Sequence, residues 1–197
     1  MAAPNKQLVL TVIRFLKDHN LHATAHMLEQ ESGCHFDIKY FETLAMEGKY
    51  EEAEKYLSGF TTMDDNWHSM WVFFELRKQK YLEALEKKDL LKALDILLKE
   101  LQDFNRQSET IFKEAMALLT LENFREHPSL AGYGDMQLER LHMVHSIKKS
   151  LLWNPKLQGK LHLPGTNNFH VEDMVVNGEA GAAPLGGRHG NEPGRRD

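Results

Sequence analysis

Three histidines, His19, His22 and His26, fall close together, and imidazoles four residues apart on one helix face form a zinc-binding arrangement. The shell does not close. No cysteine or second carboxylate pair accompanies them, His19 is expected in the turn between two helices, and eleven histidines make chance clusters common. His142 and His145, three apart, read as partly exposed helix residues. No metal site is assigned. Nucleophilic catalysis is poorly served: the one thiol, Cys34, has only its chain neighbour His35 as a base, and adjacent residues rarely reach the required geometry. The chain has no glycine-rich phosphate loop, no G-x-S-x-G elbow and no paired carboxylates at a strand end. These absences point to a protein without catalysis and without a cofactor.

What remains is a helix in which Trp67 and Trp71, four apart, are followed on the same side by Phe74 and Lys78. Two accounts stand. The aromatic rings pack a core, or they line an apolar groove for a short peptide, with Lys78 holding an acidic or backbone group at its edge.

The elements that would carry these residues read as helices throughout. Asn5 can cap a first helix with Leu8, Val12, Phe15 and Leu16 on one face, and a second runs from about His22 to Gly33. Such a short hairpin cannot bury its stripe alone, so self-association is expected. Two more short helices, 38–47 and 50–58, are closed by Gly48 and Gly59, with Tyr40, Phe41, Leu44, Ala53 and Leu57 facing inward. Asp64 or Asp65 is expected to cap the longest helix, 67–87, which is apolar over most of its circumference and so belongs at the centre of a bundle. Segments 90–101, 108–121 and 136–153 add three amphipathic helices, the last stopped by Pro155.

With 42% hydrophobic residues in 197, a substantial core is affordable and wholesale disorder is not expected. Apolar runs are far shorter than a membrane span requires, and the N-terminus lacks the pattern of a secretory signal. Twenty-four Lys and Arg against 29 Asp and Glu, with no basic block, argue against direct nucleic-acid binding. A single cysteine fits a reducing compartment, so cytosol or nucleus is expected. After Pro164 the composition changes: residues 165–197 hold seven of the thirteen glycines and no helical apolar spacing, which reads as a disordered tail.

Leu8 to Gly33, ending in Thr24-Ala25-His26-Met27-Leu28-Glu29-Gln30-Glu31-Ser32-Gly33, resembles a LisH dimerisation motif, and Phe36 to about Leu91 resembles the CTLH segment that follows it. Lys39-Tyr40-Phe41-Glu42, Tyr56-Leu57-Ser58-Gly59-Phe60-Thr61, the string from Arg77 to Leu85 and Leu118-Leu119-Thr120-Leu121-Glu122-Asn123-Phe124-Arg125-Glu126 are similar to the N-terminal domain of the plant Topless and Topless-related corepressors. The resemblance covers about residues 5–164. It implies an all-α LisH-CTLH-CRA bundle: a LisH hairpin over 4–36, a CTLH segment over 34–92, CRA-like helices over 88–164, then the tail from 165 to 197.

It also implies an oligomeric, nuclear scaffold, with cytoplasm as the alternative, that binds the leucine-rich LxLxL (EAR) motif of repressor proteins. Carried over to this sequence, the groove comprises Trp67, His68, Trp71, Phe74, Lys78, Phe104, Ile111 and Leu130. The oligomerising face comprises Leu8, Val12, Phe15, Leu16 and Leu28. Trp67, His68 and Trp71 stand where the family carries basic or tyrosine residues, and Ser150 replaces a leucine. Gln102, Met116 and Ala117 differ at positions that link dimers into tetramers while Glu122 matches, so a dimer is expected before a tetramer. Alternatives of another class are a scaffold subunit of a ubiquitin-ligase assembly, and a short form that retains only oligomerisation and mixes with full-length relatives to interfere with them.

Overall fold

The computed structural model describes residues 5–106, 109–130 and 132–161, all within one unit, Met1–Pro164. The tail expected from residue 165 lies outside the described residues. Within them the chain is all-helical: α1 (Lys6–Asp18), α2 (His22–Ser32), α3 (Ile38–Met46), α4 (Tyr50–Ser58), α5 (Trp67–Glu86), α6 (Leu90–Ile96), α7 (Glu109–Thr120) and α8 (Met136–Trp153). Short polar side chains start most of them. Asn5 accepts from the Gln7 amide, Asp37 from Lys39 and Tyr40, Asp89 from Lys92, and Asp135 from Gln137 and Leu138. Gly33 ends α2 in the left-handed region at φ 60°.

Two expectations are corrected, and a third, the closing of α4 by Gly59, is met without a left-handed turn. The cap of α5 is Asn66, whose Oδ1 accepts from the Ser69 amide, because Asp65 is turned back onto the Thr62 amide and the Lys156 ammonium. The segment after Asp89 leaves the α-helix at Ile96 for one π-helical stretch, Leu97–Leu101, and a 3-10 turn, Gln102–Arg106. This frees the Glu100 carbonyl to accept from Arg77 Nη1 at 2.9 Å. Gly59 is right-handed at φ −69°, and its role is close approach: a Cβ there would meet Gln30 of α2 at 2.6 Å.

Helix α5 is the axis of the bundle, as expected, with thirteen buried residues and its main packing against α8 and α6. The core runs from Phe36 to Leu157. The α1–α2 hairpin buries Leu10, Ile13 and Ala25 within itself and leaves Leu8 and Phe15 exposed, with Val12, Leu16 and Leu28 half-buried.

Two buried carboxylates tie distant elements together. Glu29, fully buried, receives the Lys17 ammonium at 2.7 Å and both His26 Nδ1 (2.9 Å) and the Tyr56 hydroxyl (2.7 Å). Lys17 also reaches Asp37 at 2.5 Å, so one cation joins α1 and α2 to the start of α3. Glu83 of α5 takes Arg140 of α8 in a bidentate pair, both contacts at 2.7 Å, and the Tyr50 hydroxyl at 2.5 Å. Arg140 Nη1 donates further to the Met46 carbonyl, and its guanidinium lies where a side chain on Gly48, at φ 74°, would sit. Burial alone would raise the pKa of both glutamates. The bonds from His26, Lys17 and Tyr56, and from Arg140 and Tyr50, outweigh it and hold both below the usual carboxylate range.

Removing one partner of such a pair leaves a buried charge. Arg140→Leu is expected to cost about 3–5 kcal/mol in urea unfolding. Acid should act the same way. Glu29, Glu83 and Asp37 all titrate below their unfolded values, so the stability they contribute is present above about pH 4–5 and lost as pH falls through their folded values. His35, lowered by burial, adds a loss in the same direction from about pH 6.5 downward. Glu54 opposes this, since burial outweighs Arg77 and raises its pKa. A net fall in the urea midpoint between pH 7 and pH 4 is the expected reading.

Candidate functional site

The residues singled out around Trp71 do converge. Where α5, α7 and the turn Pro128–Leu130 meet, a groove of about 300 Å³ is lined by Trp71, Phe74, Lys78 and Leu82 on one side and Ile111, Leu118 and Leu130 on the other. Its floor is fixed by the Tyr81 hydroxyl, which donates to the Ala115 carbonyl at 2.6 Å and ties α5 to α7. Between α5 and α8 the groove continues into a depression bounded by Trp71, Lys78, Gln79, Tyr133 and Ser146. A third hollow, about 430 Å³, is lined by Trp67, His68, Trp71, Lys149, Ser150 and Trp153. Trp71 borders all three, and its indole nitrogen donates to Ser146 Oγ at 3.4 Å.

The carried-over positions take different parts. Phe74 is buried and meets Phe104 edge to face at 5.3 Å; Phe104, only 2% exposed, lies behind Phe74 and is absent from the lining of the groove. Lys78 sits at the rim, half-exposed, with its ammonium 3.1 Å from Glu75 Oε1 and 5.8 Å from the Phe74 ring. Ile111 is exposed at the mouth and Leu130 is half-buried. The segment bearing Leu130 is clamped by Arg125, which stacks near Phe124 and Tyr133 and pairs with Glu86 of α5. Trp67 is 62% exposed and stacks on Trp71 at 5.8 Å between ring centres. Core packing therefore accounts for Phe74 but not for Trp67.

Trp153 and Lys149 border the third hollow and were not among the residues singled out from the sequence. Their signal was present in the spacing of α8, where Lys149 and Trp153 lie one turn apart beside Ser150.

The histidine trio is not assembled. His19 lies at the end of α1 and bonds the Phe15 carbonyl, and His22 is exposed. His26 instead comes within 4.8 Å of Glu29 and Asp37, a set with metal-ligand donors, but the Lys17 ammonium already bonds both carboxylates, so this is a salt-bridged structural cluster. Cys34 is half-buried beside Ser32, and His35 bonds the Lys160 carbonyl rather than the thiol.

Residues 37–161 match the TPR1-like, CTLH-containing domain family. Over 175 residues, 89% of this chain, the sequence is 47% identical to Protein TOPLESS and 49% identical to Topless-related protein 1, both of Arabidopsis thaliana, and 45% identical to Protein TPR3 of Oryza sativa subsp. japonica. The chain belongs to the Topless family. It spans 15–16% of the length of these relatives. No helix among the described residues is long and apolar enough to cross a membrane.

The division between floor and rim predicts two different mutational responses. Phe74→Ala should cost about 3–5 kcal/mol of stability by opening a cavity against Phe104. Trp67→Ala, at an exposed position, should stay within about 0.5–1 kcal/mol of the parent. Thermal melts of the two variants separate them.

Proposed function

We propose that this chain is a corepressor-type adaptor that binds a short leucine-rich LxLxL segment of repressor proteins in the groove at Trp71 and pairs with a second copy through its α1–α2 hairpin, working in the nucleus. The observation that carries this reading is an open apolar groove with a lysine at its rim, at the meeting of α5, α7 and the turn Pro128–Leu130, in a member of the Topless family. An extended peptide places alternate side chains on one face roughly 6.5–7 Å apart. Alternating leucines therefore suit a groove that continues as adjoining compartments sharing Trp71 and Lys78. The other face of the strand stays in water, where its residues are free to vary. Lys78 offers an N–H donor to a peptide carbonyl or acidic side chain, although Glu75 competes for it. The exposed Leu8 and Phe15, together with half-buried Val12, Leu16 and Leu28, support pairing, since such a face on a short hairpin gains from a second hairpin.

Titration of a fluorescent LxLxL peptide, followed by anisotropy, should give saturable binding that a scrambled peptide lacks. Ile111→Gln and Leu130→Ala should each weaken it several-fold without lowering the melting temperature much; Phe74→Ala is a poor control because it attacks the fold. Failure of the folded protein to bind any such peptide overturns the reading. In sedimentation the parent chain should run as a dimer and Phe15→Glu as a folded monomer. A parent monomer at micromolar concentration would remove the pairing function.

A further inference from the structure

Trp67 and Trp153 are each more than 60% exposed, and with Trp71 they ring one hollow. Single exposed apolar residues are ordinary, but three indoles around one concavity form a patch that marks a binding surface. The volume, about 430 Å³, lies in the range of sites that enclose a side chain or small ligand. The hollow is continuous with the peptide groove, because Trp71 forms a wall of both. A chain leaving the groove past Trp71 therefore runs into it.

The chemistry of the lining selects the occupant. Trp67 and Trp71 stack at 27°, and Trp153 lies exposed on the same lining, so π-faces and edges are on offer to another aromatic ring. An aromatic cage often takes a cation, yet no acidic residue lines this one and Lys149 does. Lys149 makes no ion pair among the described residues. His68 and Ser150, both with polar side chains, line the same hollow. These groups favour a carboxylate beside the ring.

Resting on the peptide-binding reading above, we propose that the indole hollow of Trp67, Trp71 and Trp153 is a specificity subsite that takes an aromatic side chain adjacent to an acidic residue, in the sequence flanking the leucine repeat of the bound peptide. The leucine repeat would thus be necessary and the aromatic-acidic flank would decide which repressors bind well. The subsite also gives Lys149 the counter-charge that its surroundings lack.

The test uses labelled peptides with one leucine-repeat core: flanked by Gly-Ser, extended by Trp-Asp on the N-terminal side, extended by Asp-Trp on the C-terminal side, and each extension again with Lys in place of Asp. Affinities are measured by anisotropy for the parent chain, the Trp67→Ala, Trp153→Ala double variant and Lys149→Ala. Both tryptophans are exposed, so the double variant should keep its helical circular dichroism and melting point. One extended peptide should bind about tenfold tighter than the core, a difference well within the reach of such an assay. In the double variant the extended and core peptides should bind alike, and the gain should shrink in Lys149→Ala or with Lys for Asp, while Lys149→Ala leaves core affinity unchanged. If the core binds and neither extension gains, or if the gain survives loss of both indoles, the subsite is refuted and the groove reading stands. Binding of an extended peptide alone supports the subsite. Failure of every peptide overturns groove and subsite together.

Discussion

Glu83 is ionised at 4% exposure, and a lone buried carboxylate would cost several kcal/mol. Arg140 satisfies both of its oxygens, and that demand fixes how α8 lies on α5. With Arg140 turned inward, the positions three, four, seven and eleven further on, Met143, Val144, Ile147 and Leu151, are buried along one stripe of α8. The residues beside that stripe, Ser146, Lys149, Ser150 and Trp153, are thereby brought to the hollows along α5 that hold Trp67, Trp71 and Lys78. The far end of α8 is seated separately. Buried Asn154 donates to Ser69 and accepts from Asn66, so the cap of α5 and the end of α8 share one hydrogen-bond network. The two hollows between α5 and α8 are consequently a by-product of two polar locks rather than of apolar complementarity alone.

Most of this architecture was legible because its punctuation is local. Asn5, Gly33, Gly48 and Pro155 each act within a turn of themselves, and the helix boundaries they imply agree with the fold to within a residue or two. The misreadings were failures of the same local logic. Two aspartates precede α5, but Asp65 is claimed by Thr61, Thr62 and Lys156, leaving the cap to Asn66. An apolar period through Leu101 looked like uninterrupted helix, but Arg77, 23 positions earlier, takes the Glu100 carbonyl and favours a wider turn. Contacts such as Glu83 with Arg140, 57 positions apart, have no sequence signature at all. The site was half legible for the same reason. Trp67, Trp71 and Lys78 show themselves by helical spacing, whereas Trp153 becomes relevant only once α8 is placed.

The hairpin and the body divide their labour by how each treats apolar surface. The hairpin's own core is small, Leu10, Ile13 and Ala25, and it is fastened to the body by the Lys17–Glu29–Asp37 cluster and by Gln30 donating to the Lys55 carbonyl. This fastening, with His26 stacked on Tyr40 beside it, leaves Leu8 and Phe15 exposed. The body buries its larger core around α5 and leaves the Trp67 and Trp153 indoles exposed beside one hollow.

If the groove takes the peptide proposed above, indoles at Trp67 and Trp71 give it a different kind of recognition from a rim of cations. Charge-assisted bonds to a peptide are worth about 1.5–3 kcal/mol each, are directional and weaken with salt where they are exposed. Indole contacts are of comparable size through area burial, are less directional and are insensitive to salt. A rim of cations reads the acidity of a whole peptide at a distance, whereas a rim of indoles reads one or two side chains in contact. The remaining cations, Lys78 and Lys149, differ in availability: Lys78 already answers Glu75, and Lys149 makes no ion pair among the described residues. On the proposed reading, charge recognition would therefore fall to Lys149 on α8, at the end where the indoles are. On the proposed reading, an indole rim would trade grip on acidic side chains for a choice among flanking sequences.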